Sequence, residues 1–483
     1  MSRRIVGPFN RVEGDLEMQL EISDGEVKNA WVVSPMYRGF EQILQGKEPR
    51  DALVYTPRIC GICSVSQSVA SARAIADAQK LPMPANGTLS HNLLLANENA
   101  ADHLTHFYLF FMPDFVNDVY AKEPWYGAAA QRFQAIKGSA IRELLPARAE
   151  FMHLMGLLAG KWPHSLAIQP GGSSRPIEVQ EKARIQAILY SFRQFLESTL
   201  FGDSLERIVA LDSSAALESW TTEGTAQSSD FRHFLHISAA LGLERLGRAA
   251  DRFMSYGAYR DHKGEPLFAE GSWDGRLGEV DHQQITEDLS HSWMRHQAEP
   301  KHPYEGITLP DAEAEGGYSW CKAPRMAGEV MEVGALARQQ VAGHPLIRDL
   351  VQQSDGNVRN RVIARLLEIA RLVIAMEQWS RELTPKEPFC YNAPMPKDAV
   401  GCGLVEAARG GLGHWIKIKK GRILNYQIIA PTTWNFSPHD AGGTPGALEQ
   451  ALVGATVREG EVDPVSVQHI VRSFDPCMVC TVH

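Results

Sequence analysis

Two cysteine pairs decide how this chain has to fold. They are Arg58-Ile-Cys60-Gly-Ile-Cys63 near the start and Asp475-Pro-Cys477-Met-Val-Cys480-Thr-Val-His483 at the end. Each has the Cys-x-x-Cys spacing that lets two sulfurs bind one metal ion. A four-thiolate cage built from both pairs would make the whole intervening chain the scaffold of one site. The other three of the seven cysteines, Cys321, Cys390 and Cys402, form no close pair.

The identity of the metal stays open at this level. Tetrahedral zinc is the usual occupant of two such pairs, and it would make the chain a zinc-stapled structural subunit without redox activity. Against zinc, the pairs lie roughly four hundred residues apart, whereas zinc modules bring their pairs close together to staple a small unit. A large core needs no such staple. Nickel, iron–sulfur clusters and zinc all accept four thiolates, so ligand type alone does not decide.

Size and composition predict one soluble domain over residues 1–483. No linker, repeat or low-complexity tract divides the chain. A net charge of -9 argues against a nucleic-acid partner, because phosphate binding needs a basic surface. The longest apolar runs fall far short of the roughly 20 residues that span a bilayer, so we expect no transmembrane segment. The odd number of mostly isolated cysteines favours a reducing compartment, and we expect a cytoplasmic protein.

Alternating apolar residues predict a β-hairpin near each end of the chain. The first runs through residues 16–33 with a turn at Ser23-Asp24-Gly25. The second runs through residues 415–429 with a turn at Lys420-Gly421.

Between the hairpins, most segments have the periodicity of amphipathic helices. Three long apolar stripes are Leu93, Asn97, Ala100, Leu104, Phe107 and Phe111; Ile177, Ile185, Ile188, Phe192 and Phe195; and Val358, Val362, Leu366, Ile369, Val373 and Met376. Pro113 should end or kink the first helix. The pattern predicts a mainly α fold of the α+β class, with a central bundle of long helices and small β-sheets near both termini.

Further motifs extend along the whole chain in a fixed order. They are Arg11-Val-Glu-Gly14, Tyr37-Arg-Gly-Phe-Glu41, Tyr318-Ser-Trp-Cys-Lys-Ala-Pro-Arg325, Glu332-Val-Gly-Ala-Leu-Ala-Arg338, Ala407-Ala-Arg-Gly410 and Pro431-Thr-Thr-Trp-Asn435. With the two cysteine pairs, they strongly resemble the large subunit of nickel-iron hydrogenases. The quinone-reducing subunit of respiratory complex I shares that fold but lacks the four cysteines, so their presence excludes it. The resemblance implies the hydrogenase large-subunit fold and heterolytic cleavage of H2 to protons and electrons.

The resemblance also implies a role for each cysteine. Cys60 and Cys477 would be terminal ligands of nickel, and Cys63 and Cys480 would bridge nickel to iron. The iron in this family carries carbon monoxide and cyanide, which no side chain can replace. The protein would therefore mainly supply geometry and outer contacts.

Heterolytic cleavage of H2 needs a base that takes the proton. The terminal thiolate of Cys477 is our first choice. Arg409 is a competing candidate, because the resemblance places it over the open metal position. Glu13 matches the family's carboxylate beside that cysteine and would pass the proton outward. Without the motifs, such charged residues are more often solvated or structural.

A second set of residues is expected to surround the cofactor. Arg409 would hydrogen-bond a cyanide and pair with Asp114 or Asp475, since buried charge is tolerable only when paired. Thr432 and the backbone around Pro431 resemble the segment that binds the other cyanide. The predicted cofactor-binding residues of these segments are Asp114, Ala407, Ala408, Arg409, Ala430, Pro431, Thr432 and Asp475.

Glu41, the carbonyl of Ile428 and His483 look like the family's ligands to a hard cation, usually magnesium. Magnesium prefers oxygen ligands and waters, so this set is sparse but possible. The alternative for His483 is a frayed terminus. The resemblance argues against it, because members of the family end at this histidine.

Several cofactor-side positions depart from most enzymes of the family. Gln67 stands where many have a histidine, and its amide can donate a hydrogen bond to a bridging cysteine but cannot titrate. Ile62 and Phe110 are bulky at positions matching the inner end of the gas channel, where they would hinder O2 and CO more than H2. Ala408 and Pro113 also differ from the common residues.

These departures resemble the regulatory, hydrogen-sensing subgroup, so we expect a low-turnover H2 sensor. The alternative function is a respiratory uptake hydrogenase, with the departures reflecting neutral drift and ordinary packing.

Electron transfer requires a partner. After four cysteines bind nickel, three scattered ones remain, too few for an iron–sulfur cluster in this chain. Electrons must therefore leave through another protein, and the resemblance implies a small subunit carrying iron–sulfur clusters. In a sensor, that heterodimer would also engage a histidine kinase.

Overall fold

The N-terminal hairpin is present and a third strand extends it. The computed structural model describes residues 2–261 and 263–483. In it, β1 (Ser2–Val6), β2 (Glu17–Ser23) and β3 (Glu26–Val33) form an antiparallel sheet in sequence order. Met18 and Leu20 of β2 are fully buried, because alternate residues of a strand share one face. The predicted hairpin is confirmed.

Shorter sheets occupy the middle of the chain, where no strands were predicted. These strands are β4 (Ile168–Gln169), β5 (Gly172–Ser173), β6 (Phe253–Arg260), β7 (Pro266–Trp273), β8 (Leu277–Gly278), β9 (Ile285–Asp288) and β10 (Ala323–Met326). They pair antiparallel as β4-β5, β6-β7-β8 and β9-β10.

The second predicted hairpin is confirmed as the last two strands of a three-stranded sheet, β11 (Ala399–Ala407), β12 (Gly410–Lys419) and β13 (Arg422–Ile429). The sequence did not predict β11, because Gly401 and Gly403 interrupt its apolar pattern. A Cβ at either position would lie about 2 Å from a backbone oxygen of the helix over residues 64–79. Both glycines are thus required where that helix packs directly on β11.

The α-helices of the described residues are α1 (Phe40–Leu44), α2 (Ala52–Tyr55), α3 (Ser64–Gln79), α4 (Ala85–Thr105), α5 (Tyr126–Phe133), α6 (Ala140–Phe151), α7 (His153–Ala159), α8 (Val179–Phe195), α9 (Leu205–Val209), α10 (Ser214–Thr222), α11 (Asp230–Leu241), α12 (Ala335–Ala342), α13 (Pro345–Ser354), α14 (Val358–Glu382), α15 (Pro431–Asn435), α16 (Ala447–Leu452), α17 (Val465–Ser473) and α18 (Met478–Thr481). No helix in this part of the chain is both long and apolar enough to cross a bilayer.

The three predicted long helices are present as α4, α8 and α14, which confirms the central bundle. Helix α4 packs against α14 and is buried on all sides, since every residue from 89 to 104 is buried. The apolar stripe therefore underestimated its burial. After α4 the chain widens into a π-helical turn (His106–Phe111), which is followed by a 3-10 turn that contains Pro113 (Met112–Val116). The α-helix thus ends before the proline, as predicted.

The two ends of the chain meet beside the bundle. Glu13 forms a parallel β-bridge with Cys477, and its carbonyl accepts a 2.7 Å hydrogen bond from the backbone N–H of Met478. The adjacent Gly14 has φ +83°, and a Cβ there would lie 3.1 Å from Val479. Glycine is needed for this close crossing, which brings the N-terminal segment against the last cysteine pair.

Candidate metal centre

The structure brings the four paired cysteines together. Their sulfurs all lie within 4.8 Å of one another. The Sγ–Sγ distance is 3.5 Å between Cys60 and Cys477 and 3.1 Å between Cys63 and Cys480. These separations are far longer than a disulfide bond of about 2 Å. They are short enough for one metal centre to contact all four sulfurs.

Local backbone geometry fixes this arrangement. Cys63 is the N-cap of α3 and Cys477 is the N-cap of α18, and neither sulfur caps its own helix. Both side chains are therefore free to face the cluster. Burial raises the pKa of the Cys477 and Cys480 thiols, so a cation is needed to hold them as thiolates. Four buried sulfurs fit a soft or borderline metal.

Arg409 lies beside the sulfurs and is held by two buried carboxylates. Its Nη2 lies 3.1 Å from Asp475 Oδ1, its Nε donates to the Asp475 carbonyl at 2.8 Å, and its Nη1 pairs with Asp102. Burial lowers the pKa of the Arg409 guanidinium, but Asp102 and Asp475 together raise it well above its usual value. Arg409 is therefore a fixed positive charge next to the thiols, as the predicted pairing with Asp475 requires.

The predicted pairing of Arg409 with Asp114 is wrong. Asp114 lies in the turn after α4, where its carboxylate oxygens pair with Arg11, Arg472 and His469. The second carboxylate on Arg409 comes instead from Asp102, inside α4. The three residues around Asp114 satisfy it away from the thiols, so it is a structural anchor and makes no contact with Arg409.

Asp475 has one oxygen available to the centre. Its residue adopts a left-handed backbone (φ 56°), which Asp tolerates better than most residues. Oδ1 faces Arg409, whereas Oδ2 is buried and has no hydrogen-bond partner among the described residues. Burial raises the pKa of Asp475, but Arg409 together with His106 and Arg365 outweighs burial and keeps the pKa lowered. An unpaired buried oxygen beside four thiols is consistent with a group that the protein binds there.

Glu13 lies at the edge of the cluster through its bridge to Cys477. Its side chain is half-buried, and burial together with the nearby Cys60 raises its pKa. A raised carboxyl pKa favours proton uptake near neutral pH. Glu13 is thus placed between the sulfurs and the outer part of the protein.

The other predicted cofactor-side residues surround the same region. Thr432 accepts a hydrogen bond from the backbone N–H of Cys477 at 3.3 Å, which leaves its own hydroxyl proton free to donate. Ala430 is the N-cap of α15, and Pro431 is the first residue of that helix. The carbonyls of Ala407 and Ala408 accept hydrogen bonds from Arg338, at 2.8 and 3.0 Å, just before Arg409.

Gln67 is buried one turn into α3, and its amide oxygen accepts a hydrogen bond from His414 Nε2 at 2.8 Å. The predicted hydrogen bond from the Gln67 side-chain amide to a cysteine sulfur does not occur within residues 2–261 and 263–483. Burial lowers the pKa of His414 to about 3, so the imidazole stays neutral. Ile62 and Phe110 are both half-buried, and Ile62 packs against the main core.

The residues predicted to hold a hard cation also come together. His483 Nε2 lies 2.7 Å from the Ile428 carbonyl oxygen and 3.4 Å from Glu41 Oε1. Lys322, which was not predicted, places its ammonium 3.3 Å from Glu41 and 3.2 Å from Glu287. Burial raises the pKa of Glu41, but Lys322 and His483 outweigh it and lower the pKa to about 2.

Asp102 and Lys322 are the functional neighbours that the sequence interpretation missed. Asp102 lies off the apolar stripe of α4, where a polar residue is normally solvated. The available clue was its position in a run of polar residues within a long central helix. Lys322 was inside one of the quoted motifs, but a lysine gives no sequence sign of burial unless its partners, here Glu41 and Glu287, are known.

Comparison with known proteins agrees with this geometry. The sequence model of the family described as nickel-dependent hydrogenase matches residues 38–142 and 139–483. The chain is 28% identical to the hydrogenase-2 large chain of Escherichia coli K12, covering 100% of this chain and 97% of that one. It is 28% identical to the uptake hydrogenase large subunit of Rhodobacter capsulatus, covering 100% and 95%.

Structural comparison gives the same result. The Ni-Fe-Se hydrogenase of D. vulgaris Hildenborough superposes with a TM-score of 0.86 at 28% identity, covering 100% of both chains. The family match spans almost the whole chain and includes both cysteine pairs. The protein thus belongs to the nickel-dependent hydrogenase family, as the large subunit of a nickel-iron hydrogenase.

Proposed function

We propose that this chain cleaves H2 heterolytically at a nickel–iron centre with carbon monoxide and cyanide on iron, and that it works as a low-turnover H2 sensor. When bound, such a centre supplies the Lewis acid that polarises H2. The four-sulfur cluster carries this proposal, because its donors are buried, lie within 4.8 Å of one another and come from both ends of the chain. Cys60 and Cys477 would hold nickel, and Cys63 and Cys480 would hold nickel and iron together.

The charges favour Cys477 over Arg409 as the proton acceptor. A guanidinium between Asp102 and Asp475 stays protonated and cannot act as a base. Arg409 instead presents donors and positive charge to the centre. Glu13 touches Cys477 through the backbone bridge and has a raised pKa, so it can receive the proton next.

The same buried donors suit the diatomic ligands on iron. Arg409 and the free hydroxyl proton of Thr432 would each donate a hydrogen bond to a cyanide. The carbonyls of Ala407 and Ala408 accept hydrogen bonds from Arg338, and these bonds fix the backbone that carries Arg409. This orientation of donors is what such ligands require from the protein.

The sensor role is supported by the residues around the centre. Gln67 and His414 form a pair that does not charge near neutral pH, because burial lowers the pKa of His414 to about 3. Bulky Ile62 lies between Cys60 and Cys63, and bulky Phe110 lies in the π-helical turn that follows α4. We further propose that the chain pairs with a small subunit carrying iron–sulfur clusters, acts in the cytoplasm and signals to a histidine kinase. A respiratory uptake hydrogenase remains the second candidate, since relatives carry that name.

We also propose a magnesium ion at Glu41, the Ile428 carbonyl and His483. The three donor groups lie close enough together to bind one ion. His483 Nε2 is 2.7 Å from the carbonyl oxygen and 3.4 Å from Glu41. One carboxylate and one carbonyl match the oxygen preference of magnesium, with water completing the shell.

Metal analysis and infrared spectroscopy test the cofactor. The purified heterodimer should contain nickel and iron in equal amounts and should show bands of metal-bound carbonyl and cyanide. Zinc alone, without such bands, would establish the structural alternative.

The base is tested by Cys477→Ala. Hydrogen–deuterium exchange from H2 should be abolished, because the substitution removes both a ligand and the proton acceptor. Cys321→Ala is the matched control, since Cys321 is also a buried free thiol but lies outside the cluster. Measurable exchange by the Cys477 variant would show that another group takes the proton.

The signalling role is tested separately. An air-stable activity and H2-dependent control of a co-purifying kinase support the sensor. A small subunit with a twin-arginine export signal would instead establish the uptake enzyme.

A further inference from the structure

Glu98 is a buried glutamate with no role in the chemistry described so far. It lies in the middle of α4 and is only 3% exposed. Its carboxylate accepts four hydrogen bonds: from Val65 N at 2.8 Å, Ser66 N at 2.9 Å, Ser66 Oγ at 3.0 Å and Trp162 Nε1 at 3.1 Å. Four donors fill the acceptor sites of one carboxylate.

Two of these donors are the second and third backbone N–H groups of α3, whose N-cap is Cys63. A helix normally satisfies these groups with an oxygen of its own N-cap side chain. Cys63 cannot do so, because its sulfur faces Cys480 at 3.1 Å. Glu98 supplies the missing cap from another helix, because its two carboxyl oxygens accept these backbone N–H groups.

The same carboxylate connects the cysteine loop to a second segment. Trp162 donates to Glu98, and two residues later the backbone N–H of His164 lies 3.4 Å from Ser64 Oγ. His164 Nδ1 also bonds the Pro57 carbonyl at 2.9 Å. Residues 57–66 are therefore bracketed by α4 on one side and by residues 162–164 on the other.

We propose that Glu98 is a positioning residue of the metal centre: it caps α3 from outside, so that the Cys63 sulfur is free for the metals and is held at one distance from them. This proposal rests on the metal centre of the proposed function. Burial raises the pKa of Glu98 to about 8, although all four hydrogen bonds oppose that rise because each is donated to the carboxylate. The cap is consequently strongest in the ionised form.

Glu98→Gln tests the proposal in the purified heterodimer. The amide has the same shape, but its NH2 group meets N–H donors, so at least one backbone group of α3 loses its acceptor. We expect H2 turnover to fall by about 10- to 100-fold, as for other residues that orient metal ligands. The infrared bands of metal-bound carbonyl and cyanide should shift or split. The spread of metal–sulfur distances seen by X-ray absorption should widen.

Glu449→Gln is the matched control. Glu449 is also buried and accepts bonds from Gly446 N at 2.8 Å, at the start of α16, and from Val32 N at 2.9 Å. It lies outside the cysteine loop. Its variant should lose thermal stability to a similar degree while its infrared and X-ray absorption spectra stay as in the wild type.

Glu98→Asp is the second variant, for the case that the glutamine protein does not fold. It keeps the carboxylate on a shorter arm, so the same spectral changes should appear in reduced size. Unchanged spectra in every folded Glu98 variant would overturn the proposal, as would equal changes in Glu449→Gln. A wild type without carbonyl or cyanide bands would refute the proposed cofactor instead. X-ray absorption of the metal actually bound would then still test Glu98.

Discussion

The protein contains two buried clusters of acidic groups, and the negative charge of each cluster is balanced in a different way. The four cysteines have the Arg409 guanidinium beside them, and that cation is already shared by Asp102 and Asp475. The cluster around Glu41 contains its own cation, the Lys322 ammonium, between Glu41 and Glu287. Buried charge is costly unless it is paired. The sulfur cluster therefore depends on metal for its charge balance, whereas the carboxylate cluster is largely balanced by the chain itself.

The substitution with the largest expected effect removes one of the four clustered sulfurs. Cys480→Ala should abolish bound nickel and H2 turnover together, because Cys480 lies 3.1 Å from both Cys63 and Cys477 and links the two pairs. Elemental analysis and hydrogen–deuterium exchange measure the two losses. Cys402→Ala, at a half-buried thiol outside the cluster, should retain both. Normal nickel content in Cys480→Ala would contradict the proposed dependence on four sulfurs, because the chain would then hold the metal with three.

The substitution with the next largest expected effect removes the Lys322 ammonium from the cluster around Glu41. Lys322→Met should lower the free energy of unfolding by about 3–5 kcal/mol, the usual result of leaving buried carboxylates without their partner. Nickel content should stay normal. Denaturant unfolding, with magnesium present and absent, measures the change. Lys301→Met is the control, because Lys301 pairs with the exposed Glu299 at the surface and its loss should leave the stability almost unchanged. An unchanged stability would mean that Lys322 does not balance the cluster.

Some parts of the molecule could be predicted from sequence and others could not. The cysteine pairs and the two hairpins are local patterns, so spacing and alternation predicted them. Asp102 depends on how α4 sits in the bundle, and β11 depends on two glycines packed against α3. Both follow from tertiary contacts that a single sequence does not show. Asp114 and Asp475 were both left open as partners of Arg409 for the same reason, because a single sequence does not show which carboxylate reaches the guanidinium.

The smallest expected effect is a pH dependence at another cluster that carries its own cation. Glu368 bonds Arg338 at 2.8 Å, with His103 and Glu406 nearby. Burial raises the pKa of Glu368, but Arg338 and His103 together outweigh burial and lower the pKa from 4.5 to about 2. A lowered folded-state pKa gives stability that is present above pH 4.5 and is lost as the pH falls towards 2. The loss is about 3 kcal/mol.

Unfolding of the wild type and of Glu368→Gln between pH 6 and about 3 measures this term. The difference in stability between the two proteins should shrink as the pH falls. A constant difference across that range would show that Glu368 is not the titrating group, and the balance within this cluster would have to come from elsewhere.

The separation of the ligands along the chain has a consequence for biogenesis. Cys60 and Cys477 lie 417 residues apart. Closing a flexible loop of that length costs about 5 kcal/mol before any sulfur meets another. An unfinished polypeptide therefore offers only a two-sulfur half-site, which binds metal weakly and reversibly. Tight capture requires both cysteine pairs, so we expect it only once the bundle has brought Cys477 and Cys480 to Cys60 and Cys63.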